Sequence, residues 1–119
     1  MERDMELVRE LLLLIETTEN SKELMIPESM DKVIVAHHLK LMEQAGLVKD
    51  STKWASNSPM WIMATLTWNG HEYLDALRND TVWNKLKDEV KEKGFQLKEI
   101  PFELVKKYAF SIGERLLDF

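Results

Sequence analysis

His71 and Glu72 open the sequence HEYLD, which begins like the helical zinc-protease signature HExxH. In that signature two histidines one turn apart hold the metal and the glutamate serves as general base. Here the fifth position is Asp75, so the ligand pair is altered, and no third ligand is evident; the plainer reading is a helix surface following Thr67. His37 and His38 are adjacent, so on a helix they point about 100° apart and cannot grip one ion together. The chain has no cysteine, which removes thiolate metal sites, disulfides and cysteine nucleophiles. Its four glycines are scattered at helix boundaries rather than gathered into a phosphate-binding loop, and no serine sits in a nucleophile elbow. Acid pairs such as Asp88-Glu89 fall on charged helix faces. No catalytic constellation emerges, so neither an enzyme nor a cofactor or metal site is expected.

What remains is binding chemistry. Lys32, His37 and Lys40 lie off the apolar stripe of a helix, with Ala36 between them small enough to permit close approach. Lysines there would meet phosphates, and His37 would reach a base edge or a phosphate of double-stranded DNA. Lys49, Lys53 and Trp54, further along, would supply contacts from a β-ribbon. The competing reading is a solvated helix face beside a loop tryptophan. Trp54, flanked by Lys53 and Ala55 in a polar stretch, is the best candidate for an exposed aromatic, and such residues favour protein interfaces.

Charge weighs on the choice. The net charge is −5, which argues against a strong nonspecific nucleic-acid binder. Residues 1–30 hold eight acids and three bases, residues 31–70 three acids and four bases, and residues 71–119 ten acids and nine bases. The candidate reading segment is therefore the least acidic part of the chain, yet it is no basic patch.

The elements that must position these residues follow from periodicity. Residues 3–17 read as a helix with Met5, Val8, Leu12 and Ile15 at helical spacing, widened by Leu7, Leu11 and Leu14. Asp4 and Glu6 fall in its first turn. Its broad apolar face predicts cover on two sides. Leu24-Met25-Ile26, closed by Pro27, reads as either a brief strand or a short buried turn. A second helix starts at Ser29 or Asp31, both good N-caps, and runs to Ala45; Val35, Leu39 and Met42 form its stripe, with Ile34, His38 and Leu41 beside it. Gly46 stands where a helix stops, and Leu47-Val48 begins a strand. Asp50 to Pro59 is a polar ribbon tip, and Met60 to Leu66 is the return strand. Both faces of that strand are apolar, so cover on both sides is expected at its base, with Trp61 and Trp68 inside or at the ribbon base. Thr67 caps a helix over about 68–78, with Tyr73, Leu74 and Leu77 inward. Thr81 caps another to Lys93, whose Val82, Trp83, Leu86 and Val90 face inward; Trp83 should staple it to the preceding body. Pro101 opens a last helix with Phe102, Val105, Ala109, Ile112 and Leu116 in one stripe. That stripe either covers the first helix or pairs with a second copy of the chain.

A helix, a ribbon and a helix in this order predict an α+β fold: a winged helix-turn-helix-like domain over 1–78, with a C-terminal helical extension over 79–119 that packs on it or dimerises. The longest apolar run, Leu11 to Ile15, is too short to cross a bilayer, so no membrane partner is expected. The start, MERDMELVRE, lacks the basic-then-apolar order of a signal peptide, so a cytoplasmic protein is expected.

HHLKLMEQAGLVKD followed by LTWNGHEYLDALRNDTVWNKLK resembles an uncharacterised bacterial and phage family, domain of unknown function 2513. The likeness extends over nearly the whole chain. It implies a prophage or mobile-element setting and brings no assigned activity or catalytic residues. The AGLV and LT-x-x-G elements alone resemble many winged-helix regulators. One departure stands out: between Thr17 and Ser29 there is room for one turn or a short strand, not for the helix that normally braces a recognition helix. Two functions are therefore weighed, a DNA-binding regulatory protein of phage type and a protein-interaction adaptor that has the fold without reading DNA.

Overall fold

The computed structural model describes residues 3–19 and 22–117, an α+β arrangement of five α-helices and two small antiparallel sheets among those residues. Helix α1 is Met5–Thr17 and α2 is Lys32–Gln44. Strands β1 (Val48–Asp50), β2 (Lys53–Ala55), β3 (Ser58–Trp61) and β4 (Ala64–Leu66) form the ribbon. Helices α3 (Trp68–Leu77), α4 (Asp80–Glu92) and α5 (Phe102–Leu117) follow, with a single 3-10 turn at Leu97–Glu99.

Capping residues set the helix starts. Asp4 is the N-cap of α1 rather than part of its first turn, and its carboxylate accepts from the backbone of Glu6 and Leu7. Asp31, not Ser29, caps α2, accepting from Val33 and Ile34. The break before α4 is capped by Asn79, two residues earlier than Thr81. Asn is the stronger N-cap of the two, and Arg9 donates to the carbonyls of Leu77 and Arg78 and to Asp80, pinning the α3–α4 corner against α1. Gly46 ends α2 with φ +79°, where a Cβ would be strained.

The ribbon differs from a single long hairpin. β1 pairs with β4, Val48 opposite Leu66 and Asp50 opposite Ala64. Beyond them β2 pairs with β3 as a second sheet, Lys53 opposite Trp61 and Trp54 opposite Pro59, which leaves Met60 as the extra residue of a bulge. The bulge breaks the strict alternation of faces expected over Met60 to Leu66. Ile62 and Ala64 are buried, but Met60 is 57% exposed and Trp61 51% exposed, so the outer ribbon is open to solvent. Residues 24–26 form no strand; Leu24 is buried and its N–H donates to Ile62 O at 2.8 Å.

A continuous core joins all five helices to the inner ribbon. Val8, Leu11 and Leu12 of α1, Val35, Leu39 and Met42 of α2, Leu74 and Leu77 of α3, Trp83 and Leu86 of α4, and Val105 and Ile112 of α5 are all buried in it. The Trp83 indole donates to Glu6 at 3.1 Å, and Arg9 and Lys87 lie over its ring, so Trp83 fastens α4 to α1. The inner face of α5 packs chiefly on α3 and α4, not on α1 as one sequence reading allowed. No helix among the described residues is long and apolar enough to cross a membrane.

Candidate functional site

The two motifs that define the middle of the chain lock together. Thr67 is the N-cap of α3, its hydroxyl accepting from Gly70 N at 3.0 Å and donating to Gly46 O. The Thr67 N–H donates to Leu47 O at 3.0 Å. Gly70 lies directly over that carbonyl, where a Cβ would sit 2.0 Å from Leu47 O. The glycine stop of α2, the start of β1 and the cap of α3 are thus one joint, and it fixes α2 relative to the ribbon. Each hydrogen bond in it adds roughly 1 kcal/mol.

His38 holds the other end of α2. It is buried, its Nε2 accepts from Asp4 N at 2.9 Å, and its Nδ1 lies 2.9 Å from Ile34 O. An amide can only donate and a carbonyl can only accept, so the ring proton resides on Nδ1. This histidine braces the N-cap of α1 and is architectural.

The ribbon surrounds the outer side of α2. Lys32 is the first residue of α2 and lines a hollow with Leu24, Met25, Pro59, Met60 and Ile62. β3 packs along α2, and Ala36 of that helix is only 1% exposed. The expected close approach at Ala36 is therefore closed, because the residue is already buried within the chain. The His37 ring meets the Trp54 ring at 5.6 Å between centroids and a 59° tilt. Lys40 is exposed on α2, Lys49 is exposed on β1 opposite Thr65, and Lys53 is exposed on β2 opposite Trp61. Trp54 itself is partly exposed. The structure thus brings His37 to Trp54, Lys32 to Met60 and Lys53 to Trp61.

Sequence reasoning missed two exposed tryptophans. Trp61 and Trp68, expected inside or at the ribbon base, both face solvent, and Trp68 is 78% exposed. For Trp68 a signal existed: it falls outside the stripe of Tyr73, Leu74 and Leu77, about 160° around the helix from Gly70. Its indole donates to Glu72, whose second oxygen accepts from Lys106 of α5 at 3.2 Å. Asp75 is engaged by Arg78, which also grips Glu16. The two carboxylates of the HEYLD stretch are committed to these ion pairs, and among the described residues no three His, Asp or Glu side chains gather as a metal site.

Three further groups have shifted ionisation. Burial pulls the Glu6 carboxyl upward, but the hydrogen bonds from Lys87 and Trp83 outweigh it and hold the carboxyl below its ordinary value. Glu16 is likewise lowered, by the Arg78 hydrogen bond, which prevails over partial burial. The Tyr73 phenol is pushed up by burial, and its hydroxyl has no hydrogen-bond partner among the described residues.

An α+β body with a two-stranded ribbon laid along α2, carrying exposed aromatics and a methionine beside lysines, is what fold and surface define. The chain belongs to the family described as "Hypothetical protein (DUF2513)", whose profile matches residues 2–96. It is also 35% identical over 120 residues to an uncharacterized protein of Haemophilus influenzae strain Rd, covering 98% of this chain and 99% of that one. No solved structure matches the chain.

Proposed function

We propose that this chain is a cytoplasmic protein-binding module, not an enzyme, built on a winged-helix-like unit whose wing is the docking surface. The observation that carries the proposal is the burial of Ala36, with β3 packed along α2, while Met60 and Trp61 of β3 face solvent. A helix that reads DNA needs its outer face free to enter the major groove. Here the wing occupies part of that face and presents its own apolar side chains outward. Large apolar residues ringed by polar ones are typical of protein interfaces, where tryptophan is enriched among the residues that carry affinity. The net charge of −5 and the absence of a helix among the described residues between α1 and α2 point the same way.

A specific observation favours the second reading, a DNA-binding regulator. Lys32, Lys40, Lys49 and Lys53 have no acidic partner among the described residues, whereas Arg9, Arg78, Lys87, Lys106 and Arg115 are all paired. Unpaired lysines are available to phosphates.

Capture from bacterial extract separates the two. Immobilised wild-type protein is expected to retain a partner protein that Met60→Ser with Trp61→Ser releases and Lys49→Ala does not. Retention indifferent to the wing substitutions would overturn the wing as the surface. Binding of a random-sequence duplex at about 20 mM salt, lost with Lys32→Ala plus Lys40→Ala, would replace this reading with the DNA one.

A further inference from the structure

The outward side of α5 carries features that the single chain does not use. Its inner residues Val105, Ala109 and Ile112 are buried against α3 and α4. On the other side Phe110 is 47% and Leu117 74% exposed, and they lie one above the other along the helix. Lys106 precedes Phe110 by one turn and pairs with Glu72, which also holds the Trp68 indole. The Lys106–Glu72 pair thus ties Trp68 to the turn of α5 that precedes Phe110, and Leu117 lies two turns further along.

Gly113 lies one turn from both Phe110 and Leu117. Glycine inside a helix costs about 1 kcal/mol relative to alanine, so it normally marks a close approach. Within this chain nothing lies within 4 Å of the position its Cβ would take. The monomer has no packing need for this glycine, and its small size leaves room for a side chain from outside.

Charge supplies the identity of the visitor. Lys107 and Glu114 flank Phe110 on the outward face, and neither has a partner among the described residues. Seven residues separate them, about 10 Å along the helix, too far for them to pair with each other. Two copies of α5 laid antiparallel with the two-fold axis between Phe110 and Ser111 bring each Lys107 level with Glu114 of the other copy. The same register sets the two Phe110 rings together at the centre, beside the space left by Gly113.

We propose that the chain self-associates into a two-fold symmetric dimer through this face of α5, with reciprocal Lys107–Glu114 pairs. A C2 interface requires such self-complementarity. A helix of 16 residues is about 24 Å long, which puts the contact at the small end of specific interfaces.

Sedimentation equilibrium over a wide concentration range tests it. Wild-type protein is expected to reach twice its monomer mass, and Phe110→Asp to remain monomeric with an unchanged circular dichroism spectrum. Lys107→Glu and Glu114→Lys are each expected to weaken association about tenfold, and the two together to restore it. The double reversal guards against a variant that merely misfolds. A monomer up to about 1 mM, the weak limit of specific association, overturns the proposal. So does a dimer that ignores all three single substitutions, or a double reversal that fails to regain the wild-type mass.

Discussion

Gly70→Ala sets two effects against each other at one atom. Alanine is the better helix former, and in an open helix the change would stabilise by up to about 1 kcal/mol. At position 70 the added methyl would lie 2.0 Å from Leu47 O and 3.0 Å from Leu47 C, and the nearest atoms belong to backbone. The carbonyl is not free to swing aside, because it accepts the Thr67 N–H at 3.0 Å. Relief needs α3 and β1 to part by more than an ångström or so, which strains that bond and the Thr67 hydroxyl bond to Gly46. Overpacking costs about 1–3 kcal/mol and the lost hydrogen bond about 1 more. Set against the helix gain, a net destabilisation of about 2 kcal/mol is expected, a fall in Tm on the order of 10 °C for a chain of this size. Urea unfolding followed by tryptophan fluorescence, with calorimetry, measures it. Gly113→Ala is the control: with open space at its Cβ, the same substitution should stabilise the dilute monomer by up to about 1 kcal/mol. An unchanged or raised midpoint for Gly70→Ala would refute the joint between the two motifs.

Two other substitutions probe buried and partly buried polar groups. Tyr73→Phe removes a hydroxyl that is buried without a partner and keeps the ring that meets Phe102 edge-on. Its urea midpoint should be unchanged or higher, by up to about 1 kcal/mol of stability, and a clear loss would mean the hydroxyl is satisfied in solution. Glu6→Gln weakens the tie to Trp83 and Lys87. Because the Glu6 pKa is lowered in the folded chain, its contribution is complete above the ordinary value of 4.5 and disappears as pH falls through the lowered one. The stability gap between wild type and Glu6→Gln, about 1 kcal/mol or less for so exposed a pair, should close on acidification; a gap that widens contradicts the assignment.

Much of this architecture can be read from residue types. The stripes of all five helices, the Thr67 cap and the Gly46 stop each reflect a local rule, and local rules are carried by a few neighbouring residues. The ribbon resists such reading because one bulge at Met60 uncouples sequence alternation from the two faces. Asn79 is the stronger cap by residue type, and its carboxamide takes the Thr81 and Val82 amides, so Thr81 falls inside the first turn. Periodicity puts the four lysines on α2 and the ribbon, but the burial of Ala36 depends on long-range packing around α2. Trp61 and Trp68 show that a large apolar side chain favours burial without compelling it.

The tight binding of residues 3–9 to distant parts of the chain has a consequence for synthesis. Arg3 donates to the carbonyls of Lys98 and Ile100, Asp4 leans on His38, Glu6 on Trp83 and Lys87, and Arg9 on the α3–α4 corner. Helix α1 is therefore made well before the last of the groups that complete it. At about 5–20 residues per second, residue 100 follows residue 3 by roughly 5–20 seconds. Over that interval Arg3 waits for its carbonyls, while the leucine-rich face of α1 gains its cover stepwise as α2, β4 and α3 are made, so slowed translation before Leu77 would leave that face open to aggregation.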